Sequence, residues 1–214
     1  MKISTLFEVP HAIAIWCCLI VARVTLILFG FIIVPIALLQ AQTYELTRRP
    51  YGARLGTWVY RGLPSWAFIW DNRTDGTLGD TRGYWANEAT PFGLPVGHWF
   101  SQWWWLCIRN PTNYLRFVPP FSCDVSLEDN RPRLLSGQSY VRDKNGHSGY
   151  QFVKSGGYFY SFYYVHQWSE TRAFVLRIGH KVEPRHGDMS WTYKNVTKRF
   201  KGFTARISPY NRIT

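Results

Sequence analysis

Ala12–Leu39 reads AIAIWCCLIVARVTLILFGFIIVPIALL, and Arg23 is its only charged side chain. As one helix these 28 residues reach roughly 42 Å at about 1.5 Å per residue, longer than a hydrocarbon core of about 30 Å. The excess places Arg23 away from the bilayer centre. Val24–Leu39, extended by Gln40–Gln42, gives a cleaner span, with Arg23 near one interface where its long side chain can snorkel. Pro10–Ala22 then lies shallow, tilts, or extends the helix past the headgroups. Pro35 is tolerated in a membrane helix and kinks it. Gly30 is a close-packing point, but no small-xxx-small pair surrounds it, so helix dimerisation has little support.

Three other readings of this stretch are weighed against the membrane helix. A buried core helix is disfavoured, because apolar runs this long are rare in small domains. A hairpin turning near Arg23 or Gly30 would have arms too short to cross, and would be re-entrant or monotopic. A cleaved signal peptide fits poorly, since the run exceeds the usual apolar region and Glu8 precedes it. Nearby Lys and Arg set the orientation. Lys2 and Arg23 stand on the N-terminal side, and Arg48, Arg49, Arg54 and Arg61 follow the run, which favours a cytoplasmic C-terminal part.

Outward from this segment, composition bounds the rest. The chain has 214 residues, enough for one membrane element and one domain of ordinary size. Its 11 Trp, 13 Tyr and 14 Phe with only two Met argue for strands rather than a helical bundle. The formal net charge is +12. Residues 1–42 hold Lys2, Arg23 and Glu8, so nearly all the excess lies beyond Gln42. A basic domain attracts anionic lipid or nucleic acid, and the field alone does not choose between them. Cys17 and Cys18 fall in the apolar segment, leaving Cys107 and Cys123, too few for a disulfide framework.

The expected organisation is a membrane segment over 1–42, a juxtamembrane connector over 43–64, and a basic, aromatic-rich α+β domain over 65–214. Trp99, Trp103 and Leu106 recur at helical spacing and predict a helix over about 96–108, ended by Asn110-Pro111. Phe121–Leu135 reads as a polar loop. Beyond it an antiparallel β-meander is predicted. Gln138–Arg142 and Tyr150–Lys154 flank an Asn-Gly turn, Tyr158–Val165 pairs with Arg172–Ile178, and Trp191–Tyr193 and Phe203–Ile207 follow. The fold class is therefore α+β, an N-terminal transmembrane helix followed by a small domain with an aromatic-rich antiparallel meander.

The densest candidate site is Asp71-Asn72-Arg73-Thr74-Asp75-Gly76-Thr77-Leu78-Gly79-Asp80. Carboxylates on a tight turn suit a hard cation. Against the EF-hand pattern, Asp71, Asp75 and Gly76 match, but Arg73 and Arg82 stand where ligands are needed. An Asp-Gly turn with Asx capping is favoured. Arg109 follows an apolar helix and invites a carboxylate partner from this loop, with Asn110 satisfying loop backbone groups. His180, Glu183 and His186 form no zinc motif, because Pro184 breaks the helix such a motif needs. No phosphate loop or nucleophile elbow occurs, so no catalytic residue and no cofactor is expected. The rings of Tyr158–Val165 beside Lys154, Arg172, Arg177 and Lys181 suit single-stranded nucleic acid, yet no RNP motif surrounds them and core packing is preferred. Trp103-Trp104-Trp105 reads either as a membrane-interface belt or as core packing against the sheet.

WDNRTDGTLGD, the Trp-rich helix leading into IRNPTNYL, and LRIGHKV together resemble a group of small uncharacterised membrane proteins encoded by tailed bacteriophages. The resemblance spans about residues 64–182, and Asp71, Asn72, Asp75, Gly76, Asp80, Arg109, Asn110, Pro111 and Gly179 are the matching positions. It brings no biochemical activity. It implies a phage origin and a host-membrane or virion setting. The expected function is a phage-encoded, membrane-anchored, non-enzymatic protein presenting a basic domain that binds a host or phage partner at the inner membrane. The alternative is a virion component that enters the envelope during genome delivery and contacts nucleic acid. Membrane lipid and an unidentified protein are the expected partners.

Overall fold

The computed structural model describes residues 3–48, 56–71, 93–94, 98–109, 115, 118–143, 146–184 and 199–213. The chain divides into two compact units, Met1–Val21 with Leu115–Thr214, and Ala22–Tyr114. The uninterrupted helix α1, Ile3–Leu39, contributes to both. It is an N-terminal helix long and apolar enough to cross a membrane by length and composition. Its 37 residues correspond to roughly 55 Å.

The first unit is built on a six-stranded antiparallel sheet in the order β3-β8-β7-β6-β5-β4. The strands are β3 (Ser122–Asp124), β4 (Arg133–Gly137), β5 (Gly149–Ser155), β6 (Phe159–Gln167), β7 (Arg172–His180) and β8 (Phe200–Arg212). Together with α1 this is the expected α+β architecture. Period-two alternation sorts β6 cleanly. Phe159, Ser161, Tyr163 and Val165 are all buried on one face. That face is sealed by Val125, Val182, Val141 and Ala173. On the opposite face Tyr160 is buried, Phe162 and Tyr164 are half-buried and His166 is exposed.

The first half of α1 explains that gradient. Ala12, Trp16 and Leu19, spaced as one helical stripe, pack on Phe152, Tyr160 and Phe203, with Phe162 and Ile178 at the margin. Cross-strand partners share a face, and Lys154 pairs with Tyr160 in register.

Several elements differ from expectation. The strand before the hairpin is Arg133–Gly137, not Gln138–Arg142, because a bulge between Leu134 and Ser136 lets Arg133 pair with Lys154. The Asn-Gly segment is closed instead by a bridge between Arg142 and His147. Part of the expected polar loop is strand β3, held against β8 from Ser122↔Gly202 to Asp124↔Phe200. Strand β8 runs 13 residues, well beyond Phe203–Ile207. Trp191–Tyr193 lies outside the described residues.

The second unit contains the other half of α1 and, within the expected connector, an antiparallel hairpin of β1 (Gln42–Arg48) and β2 (Gly56–Gly62). A 3-10 segment follows at Ser65–Trp70. The Trp-rich helix is shorter than predicted: α2 spans Trp99–Trp104, capped by His98 Nδ1 accepting from Phe100 N at 3.2 Å, and a π-helical turn covers Trp105–Arg109. The core joins Val34, Ala37 and Leu38 of α1 to Leu63, Ala67, Trp70, Trp105, Leu106 and Cys107. Trp105 is therefore a core residue, packed against α1 rather than against a sheet.

Gly30 is a close-packing point, and its partner is Trp70. A Cβ built there would lie 2.8 Å from Trp70 Nε1, which donates to Leu26 O at 3.0 Å. Cys107 Sγ reaches the Gly30 carbonyl at 3.2 Å.

Candidate functional site: an inside-out helix face

Between Leu6 and Val21, Glu8 and His11 are the only residues with ionisable side chains other than the two cysteines. Both turn to the same strand. Glu8 accepts from Lys154 Nζ at 2.8 and 2.9 Å and from the Tyr160 hydroxyl, and it meets Arg133 at 3.3 Å. His11 Nδ1 lies 2.9 Å from the Tyr160 hydroxyl, with ring centroids 5.5 Å apart. The Glu8 and Lys154 side chains are only 19% and 13% exposed. Burial opposes the charge on Lys154, but the hydrogen bond to Glu8 outweighs it and raises the lysine above its ordinary pKa. Burial, then the bond to Glu8, raises Tyr160 as well.

Trp16 adds a third polar tie, donating from Nε1 to Tyr160 O at 3.3 Å. It comes that close because residue 179 is a glycine. Gly179 has φ +101°, and a Cβ there would sit 2.6 Å from Trp16 Nε1 and closer still to Tyr160 O.

With Glu8 turned to the sheet and His11 bonded to Tyr160 while itself exposed, this half of α1 also leaves Leu6, Phe7, Pro10, Ile13, Ala14, Cys17, Cys18 and Val21 exposed. A helix on a water-soluble domain does the reverse, hiding apolar residues and showing charges. The half of α1 in the second unit likewise leaves large apolar residues outward, beside an exposed Thr25. Val24, Leu28, Phe29, Phe31, Ile32, Ile36 and Leu39 are exposed there. Large contiguous apolar surface of this kind marks a protein or membrane interaction site.

Of the acidic-loop residues, Asp71 is described. It is buried, its Oδ1 accepts from Leu63 N at 3.2 Å, and its own N–H donates to Phe68 O at 3.1 Å. It thus closes the Leu63–Asp71 turn. Asn72, Asp75, Gly76, Asp80 and Asn110, like His186, lie outside the described residues, and so does the Arg109 side chain; the expected Arg109–carboxylate pair therefore falls there too. Arg23 and Pro35 both stand within α1. Among the described residues no cluster of three His, Cys, Asp or Glu is arranged to hold a metal.

Two cations near the aromatic strand are committed inside the protein. Arg177 pairs with Glu183 at 3.3 Å and stacks 4.6 Å from the Tyr163 ring centroid, and Lys154 is held by Glu8.

The polar residue that sequence reading missed is Asp124. It accepts from Ser126 N at 2.9 Å and Ser126 Oγ at 2.6 Å, and pairs with Arg199 at 2.5 Å. Desolvation works against its charge, but these bonds outweigh it and hold the carboxyl below its ordinary pKa. With its carboxylate engaged by Arg199, this is a structural knot.

The fold and this surface define an α+β protein with a long apolar N-terminal helix, whose first half is bonded to an aromatic six-stranded antiparallel sheet. The chain belongs to a family of unknown function, DUF7338, whose profile matches residues 8–214. No curated protein and no solved structure matches it.

Proposed function

We propose that this is a phage-encoded protein anchored to the host inner membrane through α1, where its basic C-terminal domain faces the cytoplasm and binds a host or phage partner without catalysing a reaction. The observation that carries the membrane part is the inverted face of α1. Its one carboxylate, Glu8, is used against Lys154 and Tyr160, His11 bonds Tyr160 from an exposed position, and the other outward side chains are apolar or cysteine. Leaving so many large apolar groups in water is costly at about 25 cal/mol per Å², and lipid removes that cost. The cytoplasmic placement rests on Arg48, Arg49, Arg54 and Arg61, and the phage origin on the resemblance of the 71–80 and 108–111 motifs. A binding role accords with the excess of Lys and Arg and with the lack of a motif for covalent or metal chemistry.

Membrane fractionation tests the anchor. The chain should sediment with membranes and resist alkaline extraction, and recovery in the soluble fraction without detergent would remove the proposal. Mass spectrometry of purified phage particles tests the setting: a stoichiometric presence there would replace the inner-membrane role with a virion one.

A further inference from the structure

We infer that the membrane contact of the first unit is a broad surface, made jointly by the outer side of α1 up to Val21 and by the part of the sheet face that α1 leaves uncovered. This inference rests on the membrane reading above and specifies which surface lies in lipid and which headgroups it prefers.

The first half of α1 lies on the Phe152–Tyr160–Phe203 side of the sheet. Its outward residues therefore look away from the sheet in the same direction as the side chains of that face. Past the helix, the face continues as Tyr150, Phe162, Tyr164, Phe174, Leu176 and Ile207. Tyr164 stands in register with Leu176, and Leu176 with Ile207, so they share the face. Ile207 is 71% exposed and Tyr150 42%. Beside them, at the β6–β7 turn, Trp168 is 50% exposed and stacks edge-on with Tyr210, which is 70% exposed.

The chemistry of this face selects the occupant. Its centre is apolar, with the exposed His166 of β6 at the end towards the β6–β7 turn. Its margins carry Arg133, which pairs in register with Lys154, and Arg172, which pairs with Arg212. Among the described residues its one strand-facing carboxylate is Glu8, already neutralised by Lys154 and Arg133. Amphipathic rings beside arginines at the edge of an apolar patch suit the headgroup boundary of an anionic bilayer. A helix is about 10–12 Å across with its side chains, so α1 stands above the sheet by roughly that depth. Surface-lying helices sink about 5–10 Å into the boundary, so α1 enters the acyl region while the rings meet the headgroups. A second copy of the chain is disfavoured as occupant, because apposing this face to itself would bring the arginine margins together.

The test uses the full chain with Cys17→Ser and Cys18→Ser, an environment-sensitive fluorophore at Ile207→Cys or Tyr150→Cys, and a control at Glu128→Cys, in the loop that covers the other sheet face. The probe is phosphatidylcholine–phosphatidylglycerol vesicles. We expect the labels at 207 and 150 to shift to the blue and be quenched by lipid-borne nitroxide, with no change at 128. Arg172→Gln and Arg212→Gln should each weaken partitioning about fivefold, on anionic vesicles only. If the protein floats with vesicles while labels 207 and 150 stay water-like, this surface is wrong and the helix anchor stands. If the protein does not float, the membrane reading itself falls. A blue shift that appears without vesicles assigns the face to self-association and overturns the inference.

Discussion

The indole of Trp16 donates into the backbone of β6 at Tyr160 O, 3.3 Å away, so a helix side chain bonds to a sheet carbonyl at a point where the sheet has no side chain in the way. The opening is Gly179, whose φ of +101° no L side chain adopts readily. Gly179→Ala should therefore combine backbone strain with a clash against Trp16, costing roughly 2–4 kcal/mol. Thermal unfolding of the detergent-solubilised protein measures it. Trp16→Phe, which loses the hydrogen bond and keeps most of the packing, should cost less, about 1 kcal/mol.

Glu8 and Lys154 form the second tie between helix and sheet. Removing Lys154 leaves Glu8 with only Arg133 and Tyr160, and removing Glu8 leaves Lys154 mostly buried without its carboxylate. Glu8→Gln and Lys154→Met should each destabilise by about 1–3 kcal/mol, and the double variant by less than the sum. Denaturant titration of the four proteins gives the coupling directly. Strict additivity would show that the pair is not an anchor.

Acid should loosen the first unit through His180. It is fully buried, its Nε2 donates to Pro120 O at 2.8 Å, and desolvation lowers its pKa to about 4. The unfolded chain, at about 6.5, binds the proton first. Stability from this group is then complete above about pH 6.5 and falls as pH drops towards 4, by roughly 3 kcal/mol in all. Unfolding midpoints between pH 7 and 4 should show this slope, and His180→Gln should flatten it. The depressed Asp124 carboxyl adds a loss of the same sign at lower pH.

Thiol chemistry should separate the four cysteines into two classes. Burial pushes Cys107 and Cys123 up to about 12, and both are free thiols. They should resist maleimide until the protein unfolds. Cys17 and Cys18 are exposed on α1. In detergent they should label first, and in vesicles a charged maleimide should fail to reach them. Mass spectrometry of the labelled chain distinguishes the two.

Gly30 supplies a parallel test in the second unit. Gly30→Ala would press a methyl to 2.8 Å from Trp70 Nε1 and displace the ring that bonds to Leu26 O. A loss of about 1–3 kcal/mol is expected, with a change in near-ultraviolet dichroism from the moved indole. An unchanged melting temperature would mean that Trp70 gives way freely.

Much of this was legible in the chain. The apolar run gave α1, and the alternation of Tyr158–Val165 and Arg172–Ile178 gave the centre of the sheet. Strand β4 was not legible, because its bulge spoils the two-residue period over Arg133–Ser136. Strand β3 was too short to show any period, and only its pairing with β8 makes it a strand. The division of α1 at Val21 falls beside Arg23, where the sequence already separates Pro10–Ala22 from Val24–Leu39. Glu8 read merely as an acid ahead of a hydrophobic segment. Its partners lie about 125–152 residues away, and no local pattern announces contacts of that range. Of the acidic residues at 71–80 only Asp71 is among those described, and it closes a turn. Asp124, inconspicuous in sequence, is bonded to Ser126 and Arg199.

The long reach of Glu8 also bears on the order in which the molecule is assembled. Synthesis delivers the N-terminal helix first, and Lys154 and Tyr160 emerge some 150 residues later. Throughout that interval the carboxylate has neither its cation nor its hydroxyl, and the stripe Ala12–Trp16–Leu19 has no sheet to cover it. Contacts so distant in sequence are slow to close. A nascent chain holding such a helix needs a temporary apolar host, and a bilayer can serve as one from the first turns onward. On the membrane reading proposed above, lipid would act as the holding site in which α1 waits for its own C-terminal sheet, so delayed membrane targeting should yield aggregated chain even when the finished fold is stable.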